Sequence, residues 1–243
     1  QYLIDDGLIA ESEVADSLSV KGISSDTEDV IVARDVVLAN SIKSKLHICH
    51  VSTKESLYII ECGKKKNPFL TSEVTPHHFS LSFNDITGLD ANYKMRPPLR
   101  SKEDIEAIKS GLKNGVIDVI ATDHAPHSYE EKTCDFEKAA NGIVGFETAL
   151  GLGITELVDK NILTPIDFIS KLTSCPAKVI GIDKGNIGIG KIADITILNP
   201  EEEYKVNIGN FKSKSKNSPF NNYKLKGKVL YTIVSGKVVY ENN

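Results

Sequence analysis

All six histidines fall between residues 47 and 127, in three pairs: His47/His50, His77/His78 and His124/His127. The third pair carries an adjacent carboxylate, in Ala121-Thr122-Asp123-His124-Ala125-Pro126-His127. Imidazole and carboxylate are the donors that suit Zn²⁺ or a similar divalent ion. One pair would carry little weight, because a histidine more often packs or hydrogen-bonds than ligates. Three pairs, each at or just past the C-terminal end of a predicted strand, point to a convergent metal site.

Side-chain alternation narrows the choice within each pair. His47 and His50 are an odd number of residues apart, so a regular strand turns them to opposite faces. His50 lies nearer the strand end and is the expected ligand, with His47 packing or hydrogen-bonding instead. The same logic separates His77 from His78 and favours His77, which directly follows Pro76. His124 and His127 lie beyond their strand, where Pro126 fixes the turn, and are expected to support the site or touch substrate.

Strands and helices must alternate to bring these residues together. Residues 27–43 repeat apolar side chains at helical spacing. Leu46-His47-Ile48-Cys49-His50-Val51 reads as a buried strand, and Ser52-Thr53-Lys54-Glu55 opens a helix running to about Gly63. Phe69 to Thr75 is the next predicted strand. Ser101 and Asp104 form a capping-box pattern before a helix over Ile105–Asn114 closed by Gly115, and Ile117 to Thr122 is a strand. Ile143 to Lys160 reads as helical, and Thr164-Pro165 starts another helix. Beyond residue 187 the pattern changes to strands: Asp194–Leu198, then Val229–Val234 and Lys237–Tyr240 joined at Ser235-Gly236. The polar stretch Asn207–Asn222 is the nearest thing to a linker. Alternating strands and helices imply a parallel sheet whose chemistry collects at the C-terminal strand ends.

Composition excludes several classes of function. With 29 Lys+Arg against 33 Asp+Glu the net charge is −4, which gives no basic face for nucleic acid or an anionic membrane. No apolar run approaches the ~18 residues of a membrane span. The four cysteines, Cys49, Cys62, Cys134 and Cys175, are scattered and form no C-x-x-C, which fits a reducing cytoplasm.

Four ordered segments carry a family resemblance: Leu46–Thr53, Glu73-Val74-Thr75-Pro76-His77-His78, Tyr93-Lys94-Met95-Arg96-Pro97-Pro98-Leu99-Arg100, and Ala121–His127. With Gly142–Thr148, Cys175-Pro176-Ala177-Lys178 and Gly190–Asp194, they resemble the dihydroorotases of the amidohydrolase superfamily across nearly the whole chain. The resemblance implies an α/β fold: part of a (β/α)8 TIM-like barrel over residues 1–187, about strands five to eight, with a small β-sandwich over 188–243. It implies zinc, two ions in a complete site, and reversible closure of N-carbamoyl-L-aspartate to dihydroorotate. By the same matching, His50, His77 and Asp123 would hold metal, and Asp123 would also move the proton. His127 and the loop from Gly142 to Gly145 would contact the small-molecule substrate, whose carboxylate needs a cation, with Arg96 and Arg100 the candidates.

The chain departs from that pattern in three ways. It has no His-x-His pair, only about four βα units can be counted, and Arg96 stands where Asn often precedes Pro97-Pro98. It therefore reads as the C-terminal portion of such an enzyme, with an N-terminal segment missing. Alone it is expected to show little activity, incomplete metal loading and a tendency to self-associate into homo-oligomers. The rival readings are a related hydantoinase, dihydropyrimidinase or allantoinase, and a metal-free, non-catalytic homologue.

Overall fold

The computed structural model describes residues 4–242. Two short strands, β1 (Ile9–Ala10) and β2 (Gly22–Ile23), pair in parallel across helix α1 (Glu13–Ser17). Helix α2 (Asp26–Ile42) opens with Asp26, Glu28 and Asp29, which complement the positive end of its dipole, and stops at Lys43 in a left-handed conformation. The next unit is β3 (Leu46–Ile48), α3 (Lys54–Lys64) and β4 (Leu70–Val74). Helix α4 (Lys102–Lys113) then leads into β5 (Val119–Ile120). The expected capping box is present, with Ser101 accepting from the Asp104 backbone and Asp104 accepting from Ser101.

Strands β3, β4 and β5 form one parallel sheet in that order, with His47 beside Thr71 and Glu73 beside Val119. Parallel order sends all three C-terminal ends to the same rim. That common rim is what brings His50 and Asp123 together despite their separation in sequence, with His77 just past the end of the strand between them. The strands are shorter than the sequence pattern predicts: the chain leaves the sheet at this rim, and β4 and β5 also begin later, at Leu70 and Val119.

After β5 come α5 (Tyr129–Thr133) and α6 (Phe146–Gly153), the latter continuing through a π-helical turn at Ile154–Val158. Helices α7 (Pro165–Leu172) and α8 (Ser174–Ile180) follow, with Thr164 capping α7 ahead of Pro165. The C-terminal strands β6 (Ile195–Lys205), β7 (Lys224–Val234) and β8 (Lys237–Glu241) make an antiparallel sheet.

Two expectations for this last region change. Among the described residues the sheet is a single three-stranded layer, so the two facing sheets of a sandwich are not formed there. The segment Asn207–Asn222 is not a linker either: Asn217, Ser218 and Phe220 are buried, and Asn217 reaches across to Ala125 and Gly142. Its polar composition misleads because its amides serve as internal hydrogen-bond partners rather than as a solvated surface. One apolar core runs from Ile9 through Phe79, Ile108, Leu152 and Phe168 to Val206, Phe220 and Leu225, so packing is continuous past residue 187. A smaller cluster of Val32, Val36, Ile48, Val51, Ile60 and Leu70 fixes α2 and α3 against the sheet. On the outer face of α2, Val37, Leu38 and Ile42 are exposed.

Candidate active site

His50 leaves the sheet two residues after β3 with φ at 55°, and Asp123 leaves β5 with φ at 47°. Neither is glycine, and a non-glycine residue in the left-handed region costs about 1–2 kcal/mol. Such strain, at the ends of two strands of the same sheet, turns both side chains toward the shared rim. His50 Nε2 lies 3.6 Å from Asp123 Oδ1.

The other side of the His50 ring faces a residue absent from the sequence-based set. Its Nδ1 is 3.0 Å from Glu73 Oε1 on β4, although off the axis of a well-aligned N–H bond. Glu73 Oε2 in turn accepts from His47 Nε2 at 3.0 Å, which leaves His47 Nδ1 to accept from the Thr71 hydroxyl at 2.8 Å. His47 is thus hydrogen-bonded on both ring nitrogens. Burial alone would push the Glu73 carboxyl up, but the hydrogen bond from His47 and the close His50 ring outweigh it and hold Glu73 at about 2. The same contact raises the His50 pKa above its ordinary value. Sequence reasoning passed over Glu73; the one signal was a carboxylate inside a predicted strand, a position charged residues seldom take unpaired.

His77 and His78 have opposite roles despite adjacency. His78 Nε2 donates to Pro97 O at 3.0 Å, so its Nδ1 accepts from the Thr75 hydroxyl at 2.7 Å. Both nitrogens are used, and burial pushes its pKa down to about 3. His77 is 2% exposed, and its Nε2 has no hydrogen-bond partner among the described residues. Burial, with His78 and His50 nearby, holds its pKa well below the usual histidine value. A buried, neutral, unpartnered imidazole nitrogen is costly unless a ligand completes it.

The remaining expected residues are spread more widely: His127 and Arg96 line two different cavities, neither of them lined by His50, His77 or Asp123. His124 Nδ1 accepts from the backbone N–H groups of Gly145 and Phe146 at 3.1 and 3.3 Å, and its ring stacks on Phe146 at 3.9 Å. It therefore caps α6. His127 Nε2 donates to Asn141 O at 2.9 Å and its ring borders a cavity of about 610 Å³ that Lys132 and Asn217 also line. Gly142 takes φ of 111°, and a Cβ there would sit 2.5 Å from the Ala125 methyl. Its N–H donates to Lys94 O, and its carbonyl accepts from Lys132 Nζ and Asn217 Nδ2. A Cβ on Gly145 would lie 2.7 Å from Thr122 O, so this glycine lets α6 start against the strand end. Arg96 donates to Gly7 O at 2.8 Å and lines a cavity of about 530 Å³ with His47, Cys49 and Arg100.

The donor types suit a divalent cation: His50 and Asp123 face each other, and His77 presents a nitrogen with no other use. Among the described residues, however, the grouping whose three ligand atoms lie within 4.8 Å of one another is His47, Cys49 and Glu73, and the expected trio of His50, His77 and Asp123 is not drawn that close. In His47 both nitrogens are already committed, which makes that grouping a support for His50 rather than an independent site.

A dihydroorotase from Ruminiclostridium cellulolyticum is 46% identical over 98% of this chain and 55% of its own length. One from Geobacter metallireducens is 47% identical over 98% of this chain and 56% of its own length. The chain thus spans about half the length of the curated relatives it matches. Among solved structures, an L-hydantoinase (dihydropyrimidinase) from Arthrobacter aurescens superposes with a TM-score of 0.83 at 30% identity, covering 88% of this chain and 49% of its own. That likeness makes the α/β part a partial TIM-barrel-like fold. Residues 11–239 match the amidohydrolase family, a span that includes every residue of the rim, and the chain belongs to that family.

Proposed function

We propose that this chain is part of a dihydroorotase, contributing His50, His77 and Asp123 to a metal-dependent site that opens and closes the dihydroorotate ring. The observation that carries the reading is the unpartnered His77 Nε2, buried on the same rim where His50 Nε2 and Asp123 Oδ1 stand 3.6 Å apart. The relatives named dihydroorotase, at 46–47% identity, favour that substrate over the hydantoins of the structural neighbours, at 30%.

In this reading His50, His77 and Asp123 hold a divalent ion, with zinc the expected metal. Bound there, the ion supplies Lewis acidity, polarising the ring carbonyl and making water acidic enough to attack near neutral pH. Asp123 is one-third exposed and so reaches the reacting groups from the rim. Its carboxylate accepts the proton of the attacking water and returns it to the departing ring nitrogen, acting first as base and then as acid. In the synthetic direction it takes the proton from the ureido nitrogen. Glu73 holds His50 from behind, as carboxylates commonly do for metal-bound imidazoles. His127 and the Gly142–Gly145 loop border the substrate, and Arg96 offers the cation for its carboxylate.

Residues 1–187 act as the C-terminal part of the barrel and 188–243 as a small β unit packed on α6. The chain works in the cytoplasm, and the exposed apolar face of α2 favours self-association of the isolated chain. Among the described residues no helix is long and apolar enough to cross a membrane. The test is zinc binding to the 243-residue chain, followed by ligand binding to the loaded form. Zinc should bind in a manner lost in H77N and D123N, and the loaded chain should take up dihydroorotate in preference to hydantoin. Unchanged zinc affinity in both variants, or a preference for hydantoin, would refute the reading.

A further inference from the structure

We propose that Glu28, on α2 and outside the rim itself, is a positioning residue that sets the His50 loop. The carboxylate accepts from Ser52 N at 2.8 Å, from Thr53 N at 3.2 Å, and from the Ser52 hydroxyl in a short contact. Ser52 and Thr53 are wholly buried, so these donors have no water to replace Glu28. The Arg100 guanidinium closes the arrangement. Its Nε donates to Ser52 Oγ at 3.0 Å, and its NH2 group, with no hydrogen-bond partner, lies 3.6 Å from Glu28.

The segment that follows His50 is therefore held from two sides. Val51 N donates to Glu73 O on the sheet side, and Ser52 and Thr53 donate to Glu28 on the helix side. His50 directly precedes these anchored residues and takes φ of 55°, a conformation that persists only when its surroundings enforce it. The loop of Arg96 to Arg100 also links the two imidazole-bearing turns, since Arg100 contacts Ser52 while Pro97 O accepts from His78. Loss of the Glu28 carboxylate frees the loop to relax and turns His50 Nε2 away from Asp123.

The simpler role for Glu28 is a cap on α3, which would affect stability but not ligand geometry. Asp29 separates the two roles. It bonds the Thr53 hydroxyl and, at 2.7 Å, the Ser56 hydroxyl, and so holds only the helix start. The inference rests on the reading of His50 as a ligand, and the experiment keeps the two apart by using two readouts.

E28Q and D29N are made in the 243-residue chain. Zinc affinity is measured by competition with a chromophoric chelator, and the His50 ring nitrogens are followed by NMR in the metal-free chain. E28Q should weaken zinc binding roughly 10- to 100-fold, the usual effect of losing an outer support, and shift the His50 ring signals. D29N should leave affinity within about twofold and the ring signals in place. S52A, which removes one donor and keeps both carboxylates, should weaken zinc binding in the same direction by about threefold and serves if E28Q fails to fold. Wild-type affinity with unshifted ring signals in the folded E28Q or S52A chain overturns the proposal, as does an equal loss in D29N. Should the wild-type chain bind no zinc, the metal reading fails, and the ring signals alone decide the positioning role.

Discussion

Lys94 offers the sharpest test of how the loop over residues 134–141 is built. Its side chain is 2% exposed, and Nζ donates to the carbonyls of Phe136, Glu137 and Ala139 at 2.6, 2.9 and 2.8 Å. All three ammonium protons are used. Burial, and next the nearby Arg96, pull its pKa below the usual lysine value, so the charge is tolerated only because these carbonyls replace water. Lys94→Met keeps the length and removes every donor, leaving three carbonyls without partners. Each costs about 1–3 kcal/mol, and Met gains back part of this by apolar burial. The net loss is then about 3–5 kcal/mol, the range seen when one member of a buried charged network is removed. For a chain of this size that corresponds to a fall of about 6–20 °C in Tm. Urea unfolding followed by circular dichroism measures the loss, and limited proteolysis should show new cleavage between residues 134 and 141. A loss under about 1 kcal/mol, with unchanged denaturant dependence and no new cleavage, would refute the account.

Two further predictions concern the same half of the molecule. Gly142→Ala forces a methyl to 2.5 Å from Ala125 at φ of 111°, so it should cost about 2 kcal/mol or more and loosen binding of any ligand beside His127, both readable by titration and melting. Burial pushes the Tyr204 hydroxyl up to about 12. Its folded pKa thus exceeds the unfolded value near 10, so its contribution to stability is full below pH 10 and is lost as pH rises toward 12. The loss is on the order of 2–3 kcal/mol, and a delayed tyrosinate absorbance absent from Tyr204→Phe would identify the group. Ionisation of all tyrosines together near pH 10 in the folded chain would contradict it.

Local features were readable wherever the deciding interaction is short in sequence. Ser101 with Asp104, and Thr164 ahead of Pro165, announce helix starts because the partners lie within one turn. The preference for His50 over His47 joined strand periodicity to its place nearer the strand end, but the structure brings both rings to the same Glu73 carboxylate, because β3 ends at Ile48 and alternation no longer governs His50. The preference for His77 over His78 rested on a single proline, whereas what separates the two is the contact of His78 with Pro97, nineteen residues away.

Glu73, Glu28, Lys94 and Asn217 act through contacts that no local pattern encodes. Glu28 meets Ser52 at a separation of 24 residues, Lys94 meets Ala139 at 45, and Asn217 meets Ala125 at 92. Asn207–Asn222 reads as a linker because polarity in a sequence does not say whether water or buried carbonyls will satisfy it. Residue types and spacing determined which groups could bind a cation and which strand ends would carry them. Only the packed sheet decided that His50 and Asp123 face each other, that His77 is left without a partner, and which carboxylates hold the loop. Hydrogen-bond satisfaction in a water-free interior is a property of neighbours in space, and the chain order alone does not contain it.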